Sequence, residues 1–404
     1  MKGIAAFVLC ATVILACAFA LFTPKMSAPV DFQVAQGGSQ LKDYRGFAKG
    51  TALINSADIS ASSAILCSSD GLLIYEKNAD VPLPMASITK VMTAVVALEA
   101  EKDLSKEFKV PRQAVGVEGS SVYLTEGEEV TLEMLLYSVM LESANDAATA
   151  LAIATGGSLE AFVSKMNEKA EELSMSSTCF SNPHGLSDSQ HFTTARDYAR
   201  LMSYALDDPT FCKIISTKKA VYPKKDASMT RVLTNHNRLL NTYSGMIGGK
   251  TGFTRASGRT LVTAAMRNGV TLICVTLNAP NDWQDHTLLF DKGFDAVKSV
   301  TFSKEELRRR LPVGGAENGS VSVSPREDVT FTVKAEETLR CEIHTPHNLF
   351  APLSRGQRVG YVLVLKNGKA FAKVDLICDE DAFAPTQNDG GIINKIKEFF
   401  KGTN

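Results

Sequence analysis

The sequence predicts an α+β fold, in which an antiparallel sheet carries a helical subdomain and a small all-β sandwich domain follows. Short apolar runs separated by turn residues begin at about 58 and return at about 248–278. Helical segments fill the region between them, so the order is strands, helices, strands. Such an order indicates that the two ends of the region complete one sheet. From about 319 to 380 apolar and polar residues alternate, which is typical of half-buried strands.

Length and composition limit the classes of protein that the chain can represent. The 404 residues suggest about two or three domains. Hydrophobic residues make up 45% and charged residues 22%, which is ordinary for a globular protein and excludes disordered and fibrous classes. The net charge is −1, so no basic excess points to a nucleic-acid partner.

The N-terminus has the features of an export segment. Lys2 supplies a positive charge, Ile4 to Phe22 is uncharged, and Ala18-Phe19-Ala20 is a small-x-small cleavage site. These features predict a secretory signal peptide over residues 1–28. Two alternatives stay open: an uncleaved membrane anchor, because the apolar run is near bilayer length, and lipid attachment at Cys17.

A polar linker is predicted at 29–50, and a first folded domain at 51–300. The domain opens with a hairpin whose turn is Ser69-Asp70-Gly71. A helix apolar almost all round follows at about 87–100 and should be buried. Further helices are predicted at about 131–141, 145–155, 158–173 and 193–206, the last one capped by Thr193 or Thr194. The returning strands are predicted at about 248–254, 259–266 and 270–278, with the continuous apolar run Val270 to Leu277 as the central strand.

A second domain is predicted at 305–384, after a charged run from Lys304 to Arg310. Pro312-Val313-Gly314-Gly315 should break the chain there, and Asn367-Gly368 is a strong signal for a hairpin turn.

The tail, residues 385–404, carries an amphipathic pattern. Apolar residues recur at helical spacing, at Ile392, Ile393, Ile396, Phe399 and Phe400. Lysines occupy other positions of the same segment, at Lys395, Lys397 and Lys401. The pattern predicts a helix that lies in a membrane surface. A helix docked on its own protein, or a frayed tail, is the alternative.

Six cysteines lie beyond the export segment, spread along the chain and without a CxxC pair: Cys67, Cys179, Cys212, Cys274, Cys341 and Cys378. In a chain of this length they favour buried thiols over a disulfide framework. A zinc site at Cys341, His344, His347 and Cys378 is the weaker interpretation, so no metal is expected.

Ser87-Ile88-Thr89-Lys90 places a serine and a lysine three residues apart, on one face of a helix. A serine hydroxyl needs a base to become a nucleophile, and a desolvated lysine can be that base. The motif is weak alone, because Ser39-Gln40-Leu41-Lys42 and Ser216-Thr217-Lys218-Lys219 also match it.

Two further motifs follow. In Ser143-Ala144-Asn145, at the junction of two helices, a hydroxyl can relay protons and an amide can hold a carbonyl. In Lys250-Thr251-Gly252, on a returning strand, Lys and Thr suit a carboxylate and Gly permits close approach of a substrate backbone. The three motifs together, in this order, are a strong signal of penicillin-binding proteins and class A β-lactamases, although Ala144 stands where their second motif has Asp.

The sequence closely resembles the D-alanyl-D-alanine carboxypeptidases of the S11 peptidase family, which are low-molecular-mass penicillin-binding proteins. The resemblance covers about 58–385, and the matching stretches are Pro84 to Ala94, Leu141 to Ala148, Asn182 to Leu186, His191 to Asp197, Thr234 to Leu240 and Lys250 to Thr254. It implies the serine β-lactamase/penicillin-binding transpeptidase-like fold.

The resemblance also implies roles. Ser87 attacks the D-Ala-D-Ala carbonyl, Lys90 takes its proton, and Ser143 passes a proton to the leaving D-alanine. The residues implied in substrate binding are Asn145, Lys250, Thr251, Gly252 and Phe253, with the N–H groups of Ser87 and Phe253 as the oxyanion hole. Peptidoglycan stem peptides and β-lactam antibiotics are the implied ligands, no cofactor is needed, and the extracytoplasmic face of the cytoplasmic membrane is the implied location.

His184 and Arg196 lie in matching stretches outside the three motifs and are interpreted as structural supports. Three other functions stay open. A class A β-lactamase is disfavoured, because no Glu-x-x-Leu-Asn stands between the second and third motifs. A penicillin-binding sensor, and an endopeptidase or transpeptidase acting on crosslinks, would keep all three motifs.

Overall fold

The computed structural model describes residues 54–225 and 229–384. The signal peptide predicted at 1–28, the linker at 29–50 and the amphipathic tail at 385–404 lie outside the described residues.

The strands of the described chain are given in chain order. They are β1 (Ser63–Ser68), β2 (Leu73–Lys77), β3 (Leu83–Pro84), β4 (Glu107–Lys109), β5 (Glu129–Thr131), β6 (Phe192–Thr193), β7 (Lys219–Pro223), β8 (Thr230–Thr234), β9 (Met246–Thr254), β10 (Gly258–Arg267), β11 (Val270–Leu277), β12 (Val297–Phe302), β13 (Arg309–Gly314), β14 (Ser320–Ser324), β15 (Val329–Lys334), β16 (Leu339–His344), β17 (Leu349–Phe350), β18 (Arg358–Lys366) and β19 (Lys369–Cys378).

The α-helices of the described chain are given in the same way. They are α1 (Lys90–Ala100), α2 (Leu132–Met140), α3 (Asn145–Gly156), α4 (Leu159–Glu172), α5 (Ala195–Ala205), α6 (Pro209–Ser216), α7 (Leu239–Thr242), α8 (Asp282–Ala296) and α9 (Lys304–Leu307).

A five-stranded antiparallel sheet joins the two ends of the first domain, in the order β2-β1-β11-β10-β9. The prediction that strands from both ends complete one sheet is therefore confirmed, with β11 at its centre. The strand β9 forms one edge, so one side of its backbone is free of a neighbouring strand of this sheet.

Both faces of the sheet are covered, which explains the continuous apolar runs of its strands. On β1, Ile65 and Cys67 face the core of the helical subdomain, whereas Ala64 and Leu66 face the core under α8. Every residue of β1 is buried. A strand buried on both faces has no polar alternation, and its sequence is apolar at successive positions.

Helix α1 is the central helix of the helical subdomain. Its residues from Lys90 to Leu98 are all buried, as the apolar pattern predicted. The four helices predicted after it also form, as α2 to α5, and the Thr194 hydroxyl caps α5 by accepting from the N–H of Asp197. The sequence analysis did not predict α8, whose polar residues Asp282 and Asp285 are buried among its apolar contacts.

The second domain is all-β, as predicted. A six-stranded sheet has the order β16-β18-β19-β14-β13-β17, and β12 pairs with β15 as a separate ribbon. The predicted turn joins β18 to β19, with φ of 50° at Asn367 and 78° at Gly368, the left-handed values that a tight hairpin turn requires. The N–H of Thr332 on β15 donates to the Asp70 carboxylate at 2.7 Å, which ties this domain to the β1–β2 turn.

The break predicted at Pro312 is wrong, because Pro312 lies inside β13. Its partner on β14 is Ser320, whereas β17 pairs only with Val313 and Gly314. One side of the strand is therefore open at Pro312, and proline is tolerated in a strand where no neighbour needs its missing N–H.

Among the described residues, no single helix is long and apolar enough to cross a bilayer; α3 and α4 meet the length and composition requirement only as a pair, bent by 85°. In the same part of the chain the six cysteines are free thiols, and no group of three or more His, Cys, Asp or Glu side chains is arranged to hold a metal ion.

Candidate active site

Ser87 lies in a 3-10 turn, Ala86–Thr89, that leads directly into α1. The predicted helix thus begins as a tighter turn, and Ala86 before the serine has a φ of 50°. A left-handed conformation costs a non-glycine residue roughly 1–2 kcal/mol. The surrounding structure holds the turn: Thr260 Oγ1 donates to the Met85 carbonyl at 2.9 Å, and the Tyr198 hydroxyl donates to the Ile88 carbonyl.

Lys90 is fully buried, and its amine has three neighbours. Nζ lies 3.0 Å from Ser87 Oγ, 2.7 Å from Asn145 Oδ1 and 2.5 Å from the His184 carbonyl. Asn145 Nδ2 donates to the Glu118 carbonyl at 2.6 Å, so Oδ1 is the amide atom that faces Lys90. The amide oxygen and the carbonyl can only accept hydrogen bonds.

These contacts define what the neutral amine can do. A neutral lysine has two N–H donors and one lone pair. Two acceptors, on Asn145 and His184, take the two donors, and the lone pair remains for the Ser87 hydroxyl. Burial first, and then the positive charge of Lys250, hold the pKa of Lys90 well below its ordinary value, although Asp146 opposes this. Such an arrangement would suit a nucleophile and its general base.

The second motif forms one wall of the site, where Asn145 contacts Lys90. Ser143, with a φ of 59°, lies on the loop between α2 and α3, and Asn145 is the first residue of α3. Among the hydrogen bonds of the described residues, none joins the Ser143 side chain to Ser87 or Lys90. The Asp146 carboxylate accepts from Ser121 Oγ at 2.6 Å and the Leu124 N–H at 3.0 Å. It thereby fixes the loop that lies beside Asn145.

The third motif lies on the edge strand β9. Lys250 is buried, its Nζ donates to the Thr251 carbonyl at 2.9 Å, and burial lowers its pKa to about 7. Gly252 packs against the serine turn, because a Cβ there would lie 2.9 Å from the Ser87 nitrogen and 2.4 Å from Thr260 Oγ1. Phe253, the next residue on β9, is 65% exposed.

The structure thus brings the three motifs to one place. Lys90 contacts both Ser87 and Asn145, and Gly252 lies against Ser87. Ser143 and Phe253 lie next to the site because Asn145 and Gly252, close to them in the chain, contact Lys90 and Ser87. Ser216 of the competing Ser-x-x-Lys motif ends α6, and Lys219 is exposed, so the lysine of this motif is not buried like Lys90.

The loop Asn182 to Leu186 contributes more than the sequence analysis assigned to it. His184 offers its backbone carbonyl to Lys90, and burial lowers the pKa of its ring to about 3. Gly185, with a φ of 89°, packs so closely that a Cβ would lie 2.1 Å from the Ala86 oxygen. No local pattern distinguishes this loop; only the resemblance marked it.

Arg196 lies away from these groups. Its guanidinium pairs with Asp80, at 2.6 Å, and with Glu76. These ion pairs connect the start of α5 to β2, through Glu76, and to the segment after β2, through Asp80, in agreement with the interpretation of Arg196 as a structural support.

Comparisons with known proteins agree with this geometry. The profile of the D-alanyl-D-alanine carboxypeptidase family, peptidase family S11, matches residues 50–281, and that of the C-terminal domain of penicillin-binding protein 5 matches residues 298–382. The D-alanyl-D-alanine carboxypeptidase DacC of Escherichia coli K12 is 32% identical over 355 residues, which are 81% of this chain and 84% of the relative. DacF of Bacillus subtilis is 29% identical over 333 residues, 80% of this chain and 85% of the relative.

A solved structure extends the similarity to the whole fold. Penicillin-binding protein 5 of Haemophilus influenzae superposes with a TM-score of 0.66 and 27% identity, over 82% of this chain and 99% of that chain. The family profile spans more than half of the chain, and DacC exceeds 30% identity over most of its length. The chain belongs to the D-alanyl-D-alanine carboxypeptidase family of peptidases, family S11.

Proposed function

We propose that this serine-type D-Ala-D-Ala carboxypeptidase uses Ser87 as its nucleophile and removes the terminal D-alanine of peptidoglycan stem pentapeptides. The observation that carries the proposal is the environment of Lys90. Its amine is buried, faces Ser87 Oγ at 3.0 Å, and has its other two positions occupied by acceptors on Asn145 and His184. A lysine in this position is suited to take the serine proton.

Acylation proceeds in two proton transfers. Ser87 Oγ attacks the carbonyl carbon of the D-Ala-D-Ala bond as its proton moves to Lys90 Nζ, and a tetrahedral oxyanion forms. The intermediate then expels the amine of the terminal D-alanine, and this amine receives, through Ser143 and with the help of Lys250, the proton that Lys90 took from Ser87. The peptide C–N bond breaks, a Ser87 ester forms, and free D-alanine leaves.

The oxyanion is held by the N–H groups of Ser87 and Phe253. The close packing of Gly252 on the Ser87 nitrogen supports this role, because it brings β9 against the serine turn. Each oxyanion-hole donor typically stabilises the transition state by about 3–4 kcal/mol.

The substrate is bound on both sides of the serine. Lys250 and Thr251 hold the terminal carboxylate, Asn145 bonds the peptide, and the glycine at 252 lets the peptide backbone approach β9. Lys250 is the cation of this pocket, and burial strengthens its attraction for a carboxylate because water does not screen the charge.

Water completes the cycle by hydrolysing the Ser87 ester and releasing the shortened peptide. A β-lactam enters by the same attack, since its ring carbonyl takes the place of the peptide carbonyl. Its leaving group remains tethered to the acyl part, and the acyl-enzyme persists, so these antibiotics act as covalent inhibitors.

The proposal includes an arrangement of the whole chain. The catalytic domain, predicted at 51–300, is followed by the β-domain, predicted at 305–384, and the profile matches at 50–281 and 298–382 support two domains. We place the boundary just before Val297, because β12 pairs with β15 of the β-domain. The predicted signal peptide exports the chain, and the basic amphipathic tail at 385–404 rests on the membrane surface. The enzyme would then work at the outer face of the cytoplasmic membrane, where its substrate is.

The test is release of D-alanine from a pentapeptide ending in D-Ala-D-Ala. Ser87→Ala should abolish release, whereas the matched control Ser216→Ala should leave it unchanged, because Ser216 has the same motif spacing without the buried lysine. Release that survives Ser87→Ala would overturn the proposal. Labelling by β-lactam without release would indicate a sensor, and cleavage of crosslinked dimers alone would indicate an endopeptidase.

A further inference from the structure

The peptide unit between Ala86 and Ser87 is held from its carbonyl end. The Ala86 carbonyl accepts a hydrogen bond from Thr89 Oγ1 at 2.7 Å. A trans peptide is planar, and its C=O and N–H point in opposite directions. The bond from Thr89 therefore fixes the direction in which the N–H of Ser87 points.

Thr89 is itself oriented by His191, a buried residue of the segment before α5. Thr89 Oγ1 lies 2.7 Å from His191 Nε2. The Ser181 N–H donates to His191 Nδ1 at 3.0 Å, so Nδ1 is the ring nitrogen without a proton. Nε2 must then carry the proton of the neutral ring and donate it to Thr89, whose own proton goes to Ala86.

The result is a one-way chain of hydrogen bonds: Ser181 N–H to His191, His191 to Thr89, and Thr89 to the Ala86 carbonyl. Thr89 is fully buried and His191 is 3% exposed, so water does not compete for these bonds. Chains of this kind polarise each member, and a carbonyl that accepts a hydrogen bond makes the N–H of the same peptide unit a stronger donor.

Three other contacts act on this peptide unit. The 3-10 turn Ala86–Thr89 directs the backbone N–H of Thr89 toward the Ala86 carbonyl, a bond that substitution of the Thr89 side chain leaves in place. Gly185 packs on the Ala86 oxygen and the Ser87 nitrogen, and Gly252 approaches the same nitrogen from β9. Both contacts are steric and position the unit without polarising it. The left-handed φ of 50° at Ala86 also means that the backbone alone does not favour this orientation.

We propose that His191 and Thr89 are positioning residues for the oxyanion hole: through the Ala86 carbonyl they aim and polarise the N–H of Ser87. This inference rests on the proposed function, in which that N–H binds the oxyanion. Neither residue touches the substrate. Their effect should therefore fall on the rate of the chemical step and leave the affinity for the unreacted ligand almost unchanged.

The experiment measures acylation of the full-length protein by a fluorescent penicillin. Saturation kinetics separate the first-order acylation rate from the dissociation constant of the noncovalent complex. Thr89→Val has nearly the same shape but lacks the hydroxyl, and Thr89→Ser retains it. We expect Thr89→Val to lower the acylation rate by about 10-fold or more, less than the full loss of an oxyanion-hole donor, and Thr89→Ser to keep it within about 3-fold.

Thr263, on strand β10, offers a matched control. It is equally buried, and its hydroxyl lies 2.7 Å from Nδ1 of His286 on α8. Thr263→Val also removes a buried threonine–histidine hydrogen bond, so it should lower the melting temperature about as much as Thr89→Val while acylating at the parent rate. His191→Phe serves as a second variant that cuts the chain upstream of Thr89, and it should also slow acylation.

Three results would overturn the inference: parent-like acylation by Thr89→Val and His191→Phe, an equal loss in Thr263→Val, or a change confined to the dissociation constant. Failure of the proposed function gives other results. If Ser87 is not the nucleophile, the parent protein carries no penicillin on Ser87; if the protein is a sensor, the parent is labelled on Ser87 but releases no D-alanine from the pentapeptide.

Discussion

The amine of Lys90 lies 3.0 Å from the hydroxyl oxygen of Ser87, and the Lys90 side chain is fully buried. The two residues are three positions apart, but the contact depends on distant parts of the chain that occupy the remaining hydrogen-bonding positions of the amine. The motif thus brings the two side chains together, and the fold supplies the acceptors on Asn145 and His184 that orient the amine.

Lys90→Met should remove the proposed general base while keeping a buried side chain of similar length. We expect acylation by a β-lactam to slow by about 10²–10⁴-fold, the usual contribution of a positioned base. Stopped-flow labelling measures the rate. Lys219→Met, in the exposed copy of the motif, is the control and should acylate normally; a parent-like rate in Lys90→Met would rule out Lys90 as the base.

Two buried lysines should give kcat/KM a bell-shaped dependence on pH. Lys90 must be unprotonated to act as base, which sets the acidic limb. Lys250 must be protonated to hold a carboxylate, and burial lowers its pKa to about 7, so kcat/KM should fall as the pH rises above that value.

Lys250→Arg tests this assignment, because a guanidinium stays charged throughout the range. The variant should lose the alkaline limb of the D-alanine release profile, even if its maximum is lower. An alkaline limb that stays in place in Lys250→Arg would show that another group causes it.

The lowered pKa of Lys250 also makes the stability of the protein depend on pH. The unfolded chain keeps the Lys250 proton up to its ordinary pKa of 10.5, whereas the folded chain releases it near 7. Between these values the unfolded state binds more protons, so the contribution of Lys250 to the free energy of unfolding should increase with pH. In Lys250→Met this contribution is absent, and urea denaturation at pH 7 and pH 9 should show a smaller gain than in the parent.

Gly252→Ala should separate β9 from the serine turn. The added Cβ would lie 2.4 Å from Thr260 Oγ1 and 2.9 Å from the Ser87 nitrogen, so the strand must shift. A displacement of about 1 Å in an active site can lower the rate by about 10²-fold. The control is Gly315→Ala, in the β-domain, where a Cβ meets nothing within 4 Å and the φ of 71° confines the cost to local backbone strain in that domain. Equal D-alanine release by the two variants would contradict the close packing of Gly252 on the serine turn.

Asp146→Asn should weaken the hydrogen bonds that fix the loop 121–124 beside Asn145. The buried carboxylate accepts hydrogen bonds from Ser121 and from the backbone at Val122 and Leu124, and an amide would turn two hydrogens toward such donors. Leaving buried donors unpaired costs about 1–3 kcal/mol, which urea denaturation would detect. The exposed Asp103→Asn is the control and should stay within about 0.5 kcal/mol. Equal stability of both variants would show that the Asp146 carboxylate does not hold this loop.

The architecture followed from patterns that are local in sequence. Apolar continuity identified β11 as the central strand, and Asn367-Gly368 identified the turn between β18 and β19. Helix α8 was not predicted because its buried Asp285 looks like a surface residue; only the fold shows that its carboxylate accepts from the N–H groups of Ser60 and Ala61, more than 220 positions away.

The candidate site was predictable to a similar extent. Three motifs, together with a family resemblance, indicated Ser87, Lys90 and the residues that the fold gathers around them. The sequence could not show that the His184 carbonyl faces Lys90 or that Gly185 packs on Ala86, because such contacts depend on backbone atoms of a loop almost 100 positions away. Backbone groups carry no residue signature, so no composition or spacing reveals them.

The most direct test of the central claim is to map the acyl-enzyme. The full-length protein is treated with a β-lactam, digested, and analysed by tandem mass spectrometry, with Ser87→Ala in parallel. We predict one adduct per chain, on Ser87, and none in the variant. An adduct on another residue, or one that persists in Ser87→Ala, would contradict the proposal that Ser87, activated by Lys90, is the nucleophile.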